Sequence, residues 1–259
     1  MSKDITTELI KELRDATGVS VMQCKHALED ADGDMKKALA VLKKTSSEIA
    51  LKKMNREAKD GAVAIKTSGN KTVLVSLHSE TDFVAKNEDF KNLLEELAET
   101  ALKDGIEKMK ENAKEKIDLV IQKTGENIQL GEVYEISGNT LGSYVHNGKI
   151  AVAVSLEGGN AELAKDVAMH IAAMKPEYIT PEEITEEAKK TMLEVFQKEV
   201  ASVDKPEDIK KKMLDGKLNT YFKEKTLTSQ PFIKNGDETV GTLLEKNKTK
   251  IKEVKRYSI

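Results

Sequence analysis

Leu77-His78-Ser79-Glu80-Thr81-Asp82-Phe83-Val84-Ala85-Lys86 joins two stretches of different period, and its reading decides the fold. Upstream, Lys71 to Leu77 is short and rich in β-branched and apolar residues, which predicts a strand. Downstream, Phe90, Leu93, Leu94, Leu97, Ala98, Ala101 and Leu102 recur at spacings of three and four, which predicts a helix from Asn87 to Leu102 with one apolar face. Phe83 belongs to neither period. In a chain without Trp, an aromatic on such a turn serves either the protein's own core or a partner. Large apolar side chains are more often buried than functional. Loops nevertheless carry binding residues disproportionately, and the acidic Asp82 stands directly beside the ring.

Working outward, Ala62 to Thr67 is a second apolar strand, and Ser68-Gly69-Asn70 turns it into the first as a hairpin. The same order returns later in the chain. Leu141 to His146, the turn Asn147-Gly148 and Lys149 to Leu156 form another hairpin. It is followed by a helix carrying Ala161, Leu163, Ala164, Val167, Ala168, Ile171 and Ala172, which Pro176 stops. Two copies of hairpin, loop and helix imply two related α+β subdomains with helices on one face of each sheet. The loop Leu156-Glu157-Gly158-Gly159-Asn160 stands where the Phe83 loop stands in the first copy, and it has no aromatic. The fold does not by itself require one, which favours the partner reading of Phe83. Between the copies, Lys103 to Gln122 reads as a charged helix and Val133 to Ile136 as a further strand.

The flanks are helical. Ile5, Leu9 and Leu13 form one stripe before Gly18. Ser20 caps a second helix with Val21, Cys24, Ala27 and Leu28, and Gly33-Asp34 precedes a third with Met35, Ala38, Leu39 and Leu42. Val21 and Met22 are adjacent and point in different directions, so one of them is expected to be exposed. The acids around Gly33 do not make a calcium loop, because Val41 stands where the final Glu is needed. From Thr45 to Asp60 the sequence reads as a connector with some helix. Past Pro181, Ile184, Ala188, Met192, Val195 and Phe196 run out on one helix, Val203-Asp204-Lys205-Pro206 turns, and Ile209, Met213, Leu214 and Leu218 return. This predicts a projecting antiparallel helical hairpin, a scaffold or partner handle. The tail gives a loop, Thr228 to Ile233, with an exposed-looking apolar pair, and a short helix around Val240 to Leu244 that completes the second subdomain. The expected division is residues 1–50 for the helical domain, 51–60 for a linker, 61–140 for the first core subdomain, 141–180 with 226–259 for the second, and 181–225 for the arm.

Composition narrows the function classes. The chain has 259 residues, 39% hydrophobic and 34% charged, and no apolar run approaches the roughly 20 residues of a membrane span. The single cysteine, Cys24, cannot form an internal disulfide, and Met1-Ser2-Lys3-Asp4 lacks a secretion signal's apolar core; both point to the cytoplasm. A net charge of −3 with Arg only at 14, 56 and 256 argues against nucleic-acid binding. The Lys-rich run from Lys36 to Lys59, interleaved with Glu48 and Glu57, reads as solvated surface. No phosphate loop, dinucleotide fingerprint or nucleophile elbow is present, and the four histidines lack metal-ligand spacing, so no enzyme, cofactor or metal site is expected. His170, among Ala168, Met169, Ile171 and Ala172, reads as a partly buried, hydrogen-bonded structural residue.

Four motifs then align with one family. Thr17 to Leu28, Thr81-Asp82-Phe83-Val84-Ala85-Lys86, Ala168 to Pro176, and Gln230-Pro231-Phe232 resemble bacterial elongation factor Ts in that order and along essentially the whole chain. The resemblance implies an N-terminal ubiquitin-associated-like domain, a two-subdomain core and a coiled-coil arm. It implies guanine nucleotide exchange on the GTPase elongation factor Tu, without chemistry of its own and without direct binding of nucleotide, nucleic acid or membrane. By the same resemblance Thr81, Asp82, Phe83 and Val84 enter the GTPase near the nucleotide and disturb its Mg²⁺ site, with Phe83 as the wedge. His170 would contact the GTPase on the route to its phosphate loop. Val21 and Met22 would meet a GTPase helix, Val21 replacing a commoner Met, and Ile233 would reach a distal domain, with Lys234 departing from the usual apolar neighbour. The competing class is a non-catalytic interaction scaffold that uses the helical module and the arm.

Overall fold

The computed structural model describes residues 5–259; the N-terminal Met1-Ser2-Lys3-Asp4 reading lies outside them. The chain forms two compact units. The first holds the described residues up to Glu135 with Val145–Ala151 and Tyr257–Ile259, and the second holds Ile136–Tyr144 with Val152–Arg256. Short pieces of the later chain thus return to the first unit.

In the first unit, α1 (Thr7–Thr17), α2 (Val21–Asp30) and α3 (Met35–Lys53) open the chain. Each start is capped as its sequence dictates: Thr6, Ser20 and Asp34 accept from the backbone N–H groups of Leu9, Gln23 and Lys37. Ser20 and Gln23 complete a capping box. Leu13, Val19, Cys24, Ala27, Leu28, Ala38 and Leu42 form the buried core of these helices. The expected connector from Thr45 is instead the continuation of α3 to Lys53. Its Ser46 and Ala50 are buried, and the Ser47 hydroxyl donates to the buried carboxylate of Asp118 at 2.8 Å. Polar residues sit in this helix because they face a neighbouring helix, where a small hydroxyl can satisfy a buried acid.

Strands β1 (Asp60–Ser68) and β2 (Lys71–Ser79) pair antiparallel, with Val63 opposite Ser76 and Ile65 opposite Leu74. Gly61 has φ +150°, and a Cβ there would stand 2.2 Å from the Leu77 carbonyl oxygen, so only glycine fits. Next come a single helical turn, α4 (Asp82–Ala85), then α5 (Glu88–Asp104), α6 (Ile106–Thr124) and β3 (Ile128–Ser137). The sheet order is β1-β2-β3. Phe90, Leu93, Leu94, Leu97, Ala98 and Ala101 of α5 are all buried, in one core with Val73, Val75 and Leu77 of β2. Burial of each such Leu or Phe is worth about 1.5–3 kcal/mol relative to exposure.

A second hairpin of β4 (Thr140–His146) and β5 (Ile150–Glu157) turns at Asn147 and Gly148, both with positive φ, as the tight Asn-Gly turn demands. After it come α7 (Ala161–Met174), the paired helices α8 (Glu186–Ala201) and α9 (Glu207–Lys225), a small ribbon of β6 (Pro231–Phe232) and β7 (Asn235–Thr239), α10 (Val240–Lys246) and β8 (Lys250–Ser258). Phe196 of α8 meets Tyr221 of α9 edge to face at 5.8 Å. The second sheet runs β4-β5-β8, so both sheets add a later strand beside the second strand of a hairpin. In the tail, Phe232 is buried and only Ile233 of the apolar pair is exposed.

The two copies differ in how the hairpin is joined to its helix. Residues 158–160 carry β5 directly into α7, whereas residues 80–87 carry β2 into α5 and hold the extra turn α4.

Candidate partner-binding surfaces

The extra turn α4 exists because its start is fixed twice. Thr81 is extended, and its hydroxyl oxygen accepts from the Val84 N–H at 3.4 Å as an N-cap. The same hydroxyl donates to Glu126 Oε1 at 2.7 Å, and the Thr81 backbone N–H donates to Glu126 Oε2 at 3.0 Å. One residue away the exchange is reversed: the Asn127 N–H donates to Glu80 Oε1 at 2.7 Å, and Arg56 lies 3.5 Å from the same oxygen. The Ser79 hydroxyl donates to the Thr81 carbonyl at 2.9 Å. The loop is therefore tied to the α6–β3 connection through two carboxylates, and Ala85 is buried beneath it.

On this pinned turn Phe83 is 82% exposed. It contributes almost nothing to the core. Val84 is partly buried and packs on the first unit's core. The Asp82 carboxylate bonds Lys86 at 2.6 Å, and that bond raises the Lys86 pKa. A partner group approaching Asp82 competes with this lysine.

Val21 and Met22 are 52% and 61% exposed, so both, rather than one, lie outside the core. The reason is the face of α2 that is used: Cys24, Ala27 and Leu28 fill the core, while Val19, in the preceding loop, covers its edge.

In the second unit His170 has no exposed surface. Its Nε2 is 2.9 Å from Gln230 Oε1, and its Nδ1 accepts the Ile233 backbone N–H at 3.2 Å. Gln230 donates its own side-chain N–H to the Glu224 carbonyl at 2.6 Å, which orients the amide so that its oxygen faces the imidazole. An acceptor at Nδ1 and a donor at Nε2 define a neutral ring. Burial lowers the pKa of His170, with the Gln230 bond opposing that shift. The Phe232 ring lies 5.9 Å away. His170 therefore offers a partner no surface in this arrangement; the exposed group is Ile233, at 47%. Beside it Lys234, the departure from the usual apolar neighbour, is bonded to Asp166 at 2.6 Å.

Phe83, Val21, Met22 and Ile233 stand out in the sequence as candidate contacts, whereas the residues that brace the Phe83 turn and the Ile233 backbone, Glu126 and Gln230, do not. Glu126 lies in a short connection with no period to mark it. Gln230 stands inside a quoted motif, but nothing in the sequence shows that its amide faces His170.

Among the described residues no group of His, Cys, Asp and Glu could hold a metal, and no helix is long and apolar enough to cross a membrane. The modules thus define an α+β protein with a helical N-terminal domain and exposed apolar side chains on fixed supports. Residues 6–43 match the family model of a UBA-like domain, and residues 80–259 match that of Elongation factor TS. The chain is 38% identical over 262 residues to an Elongation factor Ts of Hahella chejuensis, covering 98% of this chain and 92% of that protein. It is 39% identical to that of Thioalkalivibrio sulfidiphilus, with 98% and 92% covered, and 39% identical to that of Pseudomonas syringae pv. tomato, with 94% and 86% covered. The fold is that of a translation elongation factor. The chain belongs to the elongation factor Ts family.

Proposed function

We propose that this chain is the guanine nucleotide exchange factor of elongation factor Tu, acting in the cytoplasm without chemistry of its own. The observation that carries the reading is Phe83, four-fifths exposed on a turn that the sister loop lacks and that two carboxylate clamps hold in place. Thr81 caps the turn and Asp82, Phe83 and Val84 form it. Inserted beside the nucleotide, the ring would displace GTPase elements around the Mg²⁺ and phosphates, and Asp82 would exchange Lys86 for a partner group. Val21 and Met22 would add affinity through the N-terminal helices, and Ile233 through the second unit.

Several contacts are needed. Burying one Phe is worth about 1.5–3 kcal/mol, and coupling between two ligands is commonly on the order of 1–3 kcal/mol. By linkage, the factor by which the protein weakens GDP binding is the factor by which GDP weakens its own binding. The test mixes the purified protein with GDP-loaded elongation factor Tu. Faster GDP release supports exchange, and binding without release would leave an interaction scaffold instead.

A further inference from the structure

The most completely enclosed ionisable group in the second unit touches nothing outside the protein. His170 is wholly buried, as is Gln230 at 1% exposure, yet their bonds lead to the backbone of the exposed Ile233. The chain of bonds is continuous. The Glu224 carbonyl, at the end of α9, receives the Gln230 amide; the Gln230 oxygen receives His170 Nε2–H; and His170 Nδ1 receives the Ile233 N–H. The Gln230 carbonyl accepts the Val240 N–H that opens α10. Residues 230–233 are therefore fixed at both ends of a two-residue strand, Pro231–Phe232, whose Phe232 ring packs beside the imidazole. A backbone N–H whose acceptor is a single imidazole nitrogen loses that bond when the ring is removed, and the adjacent side chain loses its aim.

We infer that His170 and Gln230 are a positioning pair: they act on the partner through the backbone of Ile233, whose side chain makes the contact. This rests on the exchange reading above and assigns His170 an indirect role within it. An imidazole that contacted the partner itself would contribute independently of Ile233. A positioning imidazole contributes only while there is an Ile233 side chain to aim.

The experiment is a double-mutant cycle in stimulated GDP release from elongation factor Tu, using the full chain as parent, His170→Ala, Ile233→Ala and the double variant, with His170→Asn as rescue. Asn places an acceptor near the δ-nitrogen position. We expect each single alanine variant to need about tenfold more protein for the same release rate, ~1.4 kcal/mol. The double variant should be no worse than the poorer single, and His170→Asn should recover most of the loss. Deficits that multiply in the double variant overturn the proposal, as does a silent Ile233→Ala beside a defective His170→Ala. A second readout needs no partner: amide hydrogen exchange at Ile233 should accelerate in His170→Ala and in Gln230→Leu and slow again in His170→Asn. If the parent fails to accelerate release at all, the exchange reading falls, while faster Ile233 exchange still supports the positioning pair and unchanged exchange overturns it. If His170→Ala does not fold, Gln230→Leu replaces it in both measurements.

Discussion

Glu126 holds Thr81 with both of its carboxylate oxygens, one on the hydroxyl at 2.7 Å and one on the backbone N–H at 3.0 Å. Thr81 also caps the turn that carries Phe83, so the aim of an exposed aromatic depends on an acid 45 residues away in sequence. Hydrogen bonds to a charged acceptor are each worth about 1.5–3 kcal/mol net, well above those of neutral pairs. We expect Glu126→Ala to lose a few kcal/mol at most, to remain folded, and to slow stimulated GDP release although Phe83 is untouched. Thermal unfolding and release kinetics on the same sample check it; unchanged release would mean that the turn keeps its place without the clamp.

Removal of Val21 and Met22 side chains should affect binding and not folding. Both are more than half exposed, so Val21→Ala with Met22→Ala should change stability by less than about 0.5 kcal/mol. Association with elongation factor Tu, measured by titration calorimetry, should weaken. An unaltered Kd would exclude these side chains from the interface.

Truncation should have a sharp boundary inside α3. A chain beginning at Met35 keeps Ser47 on Asp118 and Ala50 in the core, and should fold. One beginning after Ala50 loses both and leaves the buried Asp118 with Lys114 alone, 2.7 Å away. We expect a clearly lower Tm for the shorter chain; equal Tm values would show that α3 adds nothing to the first unit's core.

Acid should destabilise the second unit through His170. Its folded pKa lies below the ordinary 6.5, so the unfolded chain binds the proton more readily in the window beneath that value. Stability is full above about pH 6.5 and falls as pH drops toward the folded pKa. A protonated ring could no longer accept the Ile233 N–H. Urea unfolding between pH 5 and 7.5 should show this loss in the parent and a flatter profile in His170→Asn. Identical slopes would place the titrating group elsewhere.

Much of this architecture was legible in the sequence wherever apolar residues repeat. The α5 face, both hairpins and the Asn147-Gly148 turn follow from period and turn chemistry alone. The final strand β8 did not, because Lys250, Lys252, Glu253 and Lys255 dilute its apolar residues, and its sheet partner β5 lies about a hundred residues upstream. The length of α3 was hidden for the opposite reason: Thr45, Ser46 and Ser47 look like a breaker, but Ser46 is buried and donates to the Lys43 carbonyl at 2.8 Å. Phe83 stood out as a residue without a period, in keeping with a side chain that packs in neither element. His170 looked structural by its neighbours, and its burial agrees with that reading; its link to Ile233 is a property of the tertiary fold.

The most direct measurement is GDP release from elongation factor Tu, stimulated by the parent and by Phe83→Ala, with and without a Mg²⁺ chelator, alongside the Tm of each protein. The account predicts nearly equal Tm values, strong acceleration by the parent, a marked deficit for Phe83→Ala when Mg²⁺ is present, and a deficit that shrinks toward nothing once the ion has been removed. A Phe83→Ala protein that stimulates release as fast as the parent in Mg²⁺, or a deficit equally large in chelator, would contradict it.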